Sequence, residues 1–182
     1  MVTKQLLQII IAQHHLRETH SIHFIDHWAR VLAIGRYLAP LTGARLDVVE
    51  LFAVFHDSGR ENDGGDSNHG QRGADLARML VGKYFHLDNA GMDLLVQACR
   101  EHTQGMMEAD ITVQTCWDSD RLDLGRAGIK PVSRKLCTAA ARDRATIERT
   151  YDLSVRRYIP LEIYAEWGID PPASPAPREW GL

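Results

Sequence analysis

Residues 48–57, VVELFAVFHD, carry the most restrictive pattern in the 182-residue chain: an apolar run that stops on two adjacent ionisable residues. From Leu51 to Phe55 the run is unbroken, so a helix formed here has no polar face and needs other elements around most of its circumference. Asp47 is placed to cap its start and Gly59 to end it. The fold must therefore surround this helix. It must also find partners for a histidine and an aspartate delivered to the interior.

Helical spacing elsewhere supplies the neighbours. Leu6, Leu7, Ile10, Ile11 and His14 share a face in a segment around residues 3–18, and a longer amphipathic pattern covers 21–38. After the central segment, ENDGGDSN at 61–68 has the composition of a loop, and helical patterns resume over 69–81, 88–102 and 111–124. GRAGIKP reads as a turn before a long polar helix over 133–151. No strand pattern is comparably strong. The expectation is an all-α helical bundle, with one domain over residues 1–168 and a proline-rich tail over 169–182. Trp167 and Trp180 flank that tail and can anchor it on a second copy, making a homo-oligomer, or on its own domain.

Composition removes several function classes. Lys plus Arg total 21 against 24 for Asp plus Glu, a balance of −3 that gives nucleic acid no basic surface to bind. The longest apolar run is far short of the roughly 20 residues that span a bilayer. The first residues lack the small-residue cleavage site of a signal peptide, and three cysteines without CxxC spacing suggest neither disulfides nor thiolate zinc. A reducing cytoplasm is the expected setting, without membrane or nucleic-acid partners.

Four helical segments each send an ionisable group inward. The apolar series are His27, Val31, Ile34, Leu38; then Val49, Phe52, Ala53, His56 with Asp57 beside it; then Leu95, Cys99, His102; and Val113, Cys116, Trp117, Asp120, Leu124. Taken singly, an inward histidine is most often a hydrogen-bonded core residue. Together they add up to more, because buried Asp57 and Asp120 would cost several kcal/mol each if unpaired, and no lysine or arginine is evident on the same stripes. A divalent cation would neutralise them. Imidazole and carboxylate ligands suit Mn, Fe, Co, Zn or Mg. His27, His56, Asp57 and Asp120 around one such ion sum to zero charge, and a second ion recruited by His69 and His102 leaves about +2, which attracts phosphate.

The order His27, His56–Asp57, then Asp120 inside SDRLD resembles the H…HD…D signature of the HD-domain superfamily, all-helical metal-dependent phosphohydrolases. The matching region runs from about residue 20 to 126, and HFIDHWARV and CWDSDRLDLGR are similar to strings of small bacterial members. The resemblance implies His27, His56, Asp57 and Asp120 as metal ligands. Asp118 is the rival for the last place. His69 in HGQRGA and His102 in REHTQG stand where two-metal members carry further ligands, although a helix-start histidine and a substrate-contacting or core histidine are their plainer readings. Where some members carry a glutamate three residues after the dyad, this chain has Arg60, with Glu61 one position later; it also lacks a GYP-like motif.

The resemblance implies hydrolysis of a phosphate ester of a small molecule, a nucleotide first among them, by metal-activated water. Asp57 would orient the water, and Arg60, ahead of Arg72, Arg126 and Lys130, would stabilise charge on the phosphoryl oxygens. His23, one turn before His27, is placed to donate to a phosphate or leaving group, and Glu61 is retained as a candidate catalytic carboxylate. ENDGGDSN would be a lid or a plain connection. Two other functions fit the same residues: an HD-like di-iron oxygenase, and a non-catalytic metal or nucleotide sensor.

Overall fold

A computed structural model describes residues 2–16 and 21–171 of the chain. The α-helices are α1 (Lys4–Gln13), α2 (Ile25–Thr42), α3 (Leu46–Phe55), α4 (His69–Leu80), α5 (Asn89–Glu101), α6 (Ile111–Leu122), α7 (Ala139–Arg142), α8 (Arg144–Val155) and α9 (Leu161–Trp167). Among the described residues there is no strand beyond one isolated bridge between Val81 and Phe85. The architecture is all-α, as expected.

The apolar run becomes α3, in which every residue from Val48 to Phe55 is buried. Glu50, the one polar residue in that run, accepts a hydrogen bond from Arg36 Nε at 2.8 Å. Helices α2, α5 and α6 pack along α3, and α1 and α4 close its remaining sides. Trp28, Phe52, Phe55 and Trp117 lie fully buried in the resulting core, and burial of each large side chain contributes about 1.5–3 kcal/mol. A smaller cluster of Ile34, Leu38, Leu122, Leu136, Ala141 and Ile147 joins α2 and α6 to α7 and α8. No described helix is long and apolar enough to cross a membrane.

The bounds differ from expectation at three places, each for a local reason. First, α1 stops at Gln13 because His14 is extended and its Nδ1 bonds the Ser58 carbonyl at 2.8 Å; residues 17 and 18 of the expected segment lie outside the described residues. Second, the helix expected over 133–151 is interrupted twice. Thr138 caps α7 by accepting from Ala141 N at 3.1 Å, and Asp143 caps α8 by accepting from Thr146 N at 2.9 Å. Side chains that bond their own backbone in this way start helices rather than continue them. Third, α9 is an additional helix bounded by Pro160 and a left-handed Gly168. It carries Trp167 into the core, 1% exposed, so that residue packs on its own domain. Most of the expected tail, Pro172–Leu182 with Trp180, lies outside the described residues.

Candidate metal centre

Helix ends converge on one buried point. His27 lies in the first turn of α2, His56 and His102 directly follow α3 and α5, His69 begins α4, and Asp120 is near the end of α6. Two glycines let α4 come close enough to contribute. A Cβ on Gly70 would lie 2.2 Å from the Cys99 carbonyl oxygen, and one on Gly73 would lie 2.1 Å from that of Phe55. Neither position has room for a side chain.

Every imidazole in the cluster is oriented by an acceptor on its outer side. Nδ1 of His56 donates to the Phe52 carbonyl at 3.1 Å, that of His102 to the Cys99 carbonyl at 2.7 Å, and that of His69 to the Asp66 carbonyl. His27 Nδ1 donates to the Asp123 carboxylate at 2.7 Å. Carbonyls near helix C-termini lack a following amide partner, which is why Cys99 has an oxygen to spare for His102. With Nδ1 carrying the proton, all four Nε2 atoms present lone pairs inward.

Those lone pairs meet in two groups. His27 Nε2 is 3.0 Å from His56 Nε2 and 3.2 Å from Asp120 Oδ1. His69 Nε2 is 3.0 Å from His102 Nε2 and 3.2 Å from Asp57 Oδ1. Asp57 stands between the groups, because its other oxygen, Oδ2, lies 3.7 Å from His27 Nε2 and 3.6 Å from His56 Nε2. Lone pairs held this close repel unless a positive charge lies between them. Two ligands each about 2.1 Å from one cation are about 3.0 Å apart at a right angle and about 3.4 Å apart at the tetrahedral angle, so the spacings fit a divalent ion. The donor set of each group, nitrogen plus carboxylate oxygen, suits the same ions.

The charges agree with the geometry. Asp57 is held well below the usual carboxylate range: burial pushes it up, but the surrounding imidazoles of His56, His102, His23 and His69 outweigh that. Burial also raises Asp120, and His27, Arg126 and His56 more than reverse it. Burial lowers His56 to about 3, keeping its ring neutral and able to act as a ligand. At His102, burial is outweighed by Asp57 and the net shift is upward, reflecting the carboxylate that faces its Nε2.

No protein-family profile and no curated protein matches the sequence. A solved structure does: the crystal structure at 1.45 Å of a protein from an uncultured Thermotogales bacterium, described as a predicted HD superfamily hydrolase. It superposes with a TM-score of 0.63 over 90% of this chain and 92% of that one, at 24% identity. This chain has the HD-type fold. Within that fold, His56 and Asp57 follow directly on the end of the central helix α3.

The structure brings His23, His27, His56, Asp57, His69, His102 and Asp120 together, and it also brings in Arg60, whose Nε donates to Asp57 Oδ1 at 2.8 Å. His23 Nδ1 donates to Asp57 Oδ2 at 2.8 Å. Glu61 is left outside: it is exposed, and its nearest charged partner is Arg72 at 3.7 Å. Asp118 is outside too. Its carboxylate accepts from the Cys137 and Thr138 amides, each at 2.7 Å, and fastens that segment to α6. Lys130 lines the cavity above the centre but pairs with Glu148 at 2.7 Å, and Arg72 is committed to Asp66 at 2.5 Å.

The structure departs from the expectation that Asp57 and Asp120 lack cationic partners. Cations do reach both carboxylates: Arg60 pairs with Asp57, and Arg126 lies 3.6 Å from Asp120. Both arginines follow tight turns after their helices, so a count along helical stripes passes over them. The converging lone pairs, not unpaired acids, carry the case for an ion. The stripe count also missed Asp123 and Arg30. Asp123 is fully buried, accepts from Arg30 Nε at 2.7 Å, and fixes the His27 ring; its pKa is about 2, with burial outweighed by Arg30 and His27. Spacing offered a signal, since Asp123 is three residues after Asp120 and Arg30 three after His27.

Proposed function

We propose that this chain is a metal-dependent phosphohydrolase that cleaves a phosphate ester of a small molecule. The observation that supports this most is the joining of a ligand-type cluster to a cationic cavity of about 660 Å³, lined by six arginines and lysines against two carboxylates, Asp57 and Asp120. An oxygenase acting on a neutral substrate has no need of that excess positive charge.

His27, His56, Asp120 and Asp57 would hold one divalent ion, and Asp57, His69 and His102 a second. A bound ion supplies Lewis acidity, which acidifies water and draws charge from the phosphoryl oxygens. Arg60 spends Nε on Asp57, and its Nη2 makes no hydrogen bond to the described residues, leaving a donor for a phosphoryl oxygen. His23 borders the cavity with Nδ1 committed to Asp57, so its Nε2 is free to exchange a proton with the leaving group. Asp57 thus ties both residues to the cluster and fixes where they meet the ester.

The test is metal analysis of the purified protein with a phosphate-release screen over nucleotides and sugar phosphates, accompanied by oxygen-uptake measurements. The reading expects phosphate release without oxygen consumption. It also expects His56→Ala and Asp57→Ala to lose metal and activity together while remaining helical by circular dichroism. Substrate-dependent oxygen uptake without phosphate release would count against it.

A further inference from the structure

The cavity above the cluster is charged at two separate levels. At its floor, buried Arg60 and half-buried Arg126 are held against the cluster carboxylates. At its mouth, Arg134 and Lys135 belong to a short 3₁₀ turn, Ser133–Lys135, and both side chains are exposed. Neither side chain has an acidic partner among the described residues, whereas Lys130 beside them is paired with Glu148. The apolar part of the cavity lining is formed by Met107, Leu124, Ile129, Val132 and Leu136. Ile129 and Val132 are 54% and 43% exposed, which an apolar body resting on them would correct.

The mouth is held in place by the rest of the fold. Asp118 takes the Cys137 and Thr138 amides at the end of the turn. Arg121 joins the two lips, donating to the Met106 carbonyl at 2.7 Å and the Lys135 carbonyl at 3.2 Å. Its guanidinium lies over the Trp117 ring, 5.6 Å from the centroid. The backbone of the cationic turn is therefore anchored to α6, the helix that carries Asp120.

We infer that the substrate is anionic at both ends: a phosphate ester at the cluster, an apolar ring-sized body along the wall, and a second anionic group, of phosphate type, at Arg134 and Lys135. The inference rests on the phosphohydrolase reading for the role of the floor, and it adds the far end. A cavity of about 660 Å³ is large for a bare sugar phosphate and within the usual range for ligands with a ring-sized body. Two unpaired cations on an anchored turn can meet a phosphate without losing an existing ion pair.

The experiment compares adenosine 3′,5′-bisphosphate with adenosine 5′-phosphate and adenosine 3′-phosphate. Affinity is read with methylenephosphonate analogues, which cannot be cleaved, and phosphate release with the natural esters. The proteins are the full chain, Arg134→Gln/Lys135→Gln, and Arg78→Gln/Arg156→Gln, which removes equal charge outside the cavity. The inference expects the full chain and the Arg78/Arg156 variant to bind the bisphosphate analogue at least tenfold tighter than either monophosphate analogue, and the Arg134/Lys135 variant to bring the three within threefold. Equal affinities in the full chain would overturn it, as would an advantage that survives in the Arg134/Lys135 variant. An intact affinity difference without any phosphate release supports the two-ended ligand and counts against the phosphohydrolase reading alone.

Discussion

At the scale of single residues, the centre depends on which carboxylates and imidazoles point inward and on what holds each from behind. His102 contributes only to the group formed with Asp57 and His69, whereas Asp57 contributes an oxygen to each group. Metal analysis of His102→Ala is therefore expected to show about one ion per chain fewer than the unaltered protein at saturating metal, with the remaining ion at His27, His56 and Asp120. Asp118 and Asp120 are separated by the same measurement. Asp120→Asn should lose bound metal with little change in fold. Asp118→Asn should keep the metal and lower stability by about 1–3 kcal/mol, because a carboxylate that accepts two buried amides is replaced by a weaker acceptor. Sequence alone could not make this choice. Two aspartates two positions apart differ in direction only once the turn of α6 and the path of residues 136–138 are known.

Among the elements, α4 is the one whose placement decides whether the second group forms. It meets the end of α3 and the end of α5 through Gly73 and Gly70. Gly73→Ala would ordinarily favour a helix by about 1 kcal/mol, but here the methyl would meet the Phe55 carbonyl oxygen at 2.1 Å. The expected result is a melting temperature lower by several degrees, with metal lost first from the His69–His102 side. A second element-level prediction concerns Arg45, which donates to Asp47 at the start of α3 and to Asp88, the cap of α5. Hydrogen bonds from Arg45 lower both carboxyls. A carboxyl lowered by folding adds stability that is fully present above its unfolded pKa, about 3.9, and is lost as the pH falls through the folded value. Chemical denaturation of Arg45→Gln across pH 2–6 should therefore show a shallower loss of stability below pH 4 than the unaltered chain shows, with the difference between the two chains largest at pH 6, modest there because these side chains are solvent-exposed, and vanishing towards pH 2. The helices α1 to α6 were legible in the sequence because each buries an apolar stripe with a period near 3.6. The break into α7 and α8 was not, because Thr138 and Asp143 suit a solvated helix surface as well as they suit a cap. The α9 helix was too short for periodicity to register, although Pro160 and Gly168 mark its ends.

Over the whole molecule, an apolar helix with no exposed side fixed the arrangement of the others, and its C-terminal end became the meeting point of five helices. The inward histidines and aspartates could be found from helical stripes because they share faces with core residues. The residues that orient and neutralise them could not. Arg60 and Arg126 arrive from turns, and Asp123 and Arg30 face each other across 93 positions of chain. Such pairs exist only after α2 and α6 pack. The central claim is that these separate segments create ligand positions for divalent ions around Asp57. Crystals of the full chain soaked in manganese and measured at a wavelength with strong manganese anomalous scattering test it most directly. The account predicts two anomalous peaks on either side of the Asp57 carboxylate, one beside His27, His56 and Asp120 and the other beside His69 and His102. Well-ordered crystals showing manganese only elsewhere on the protein, with no peak at this cluster, would contradict it.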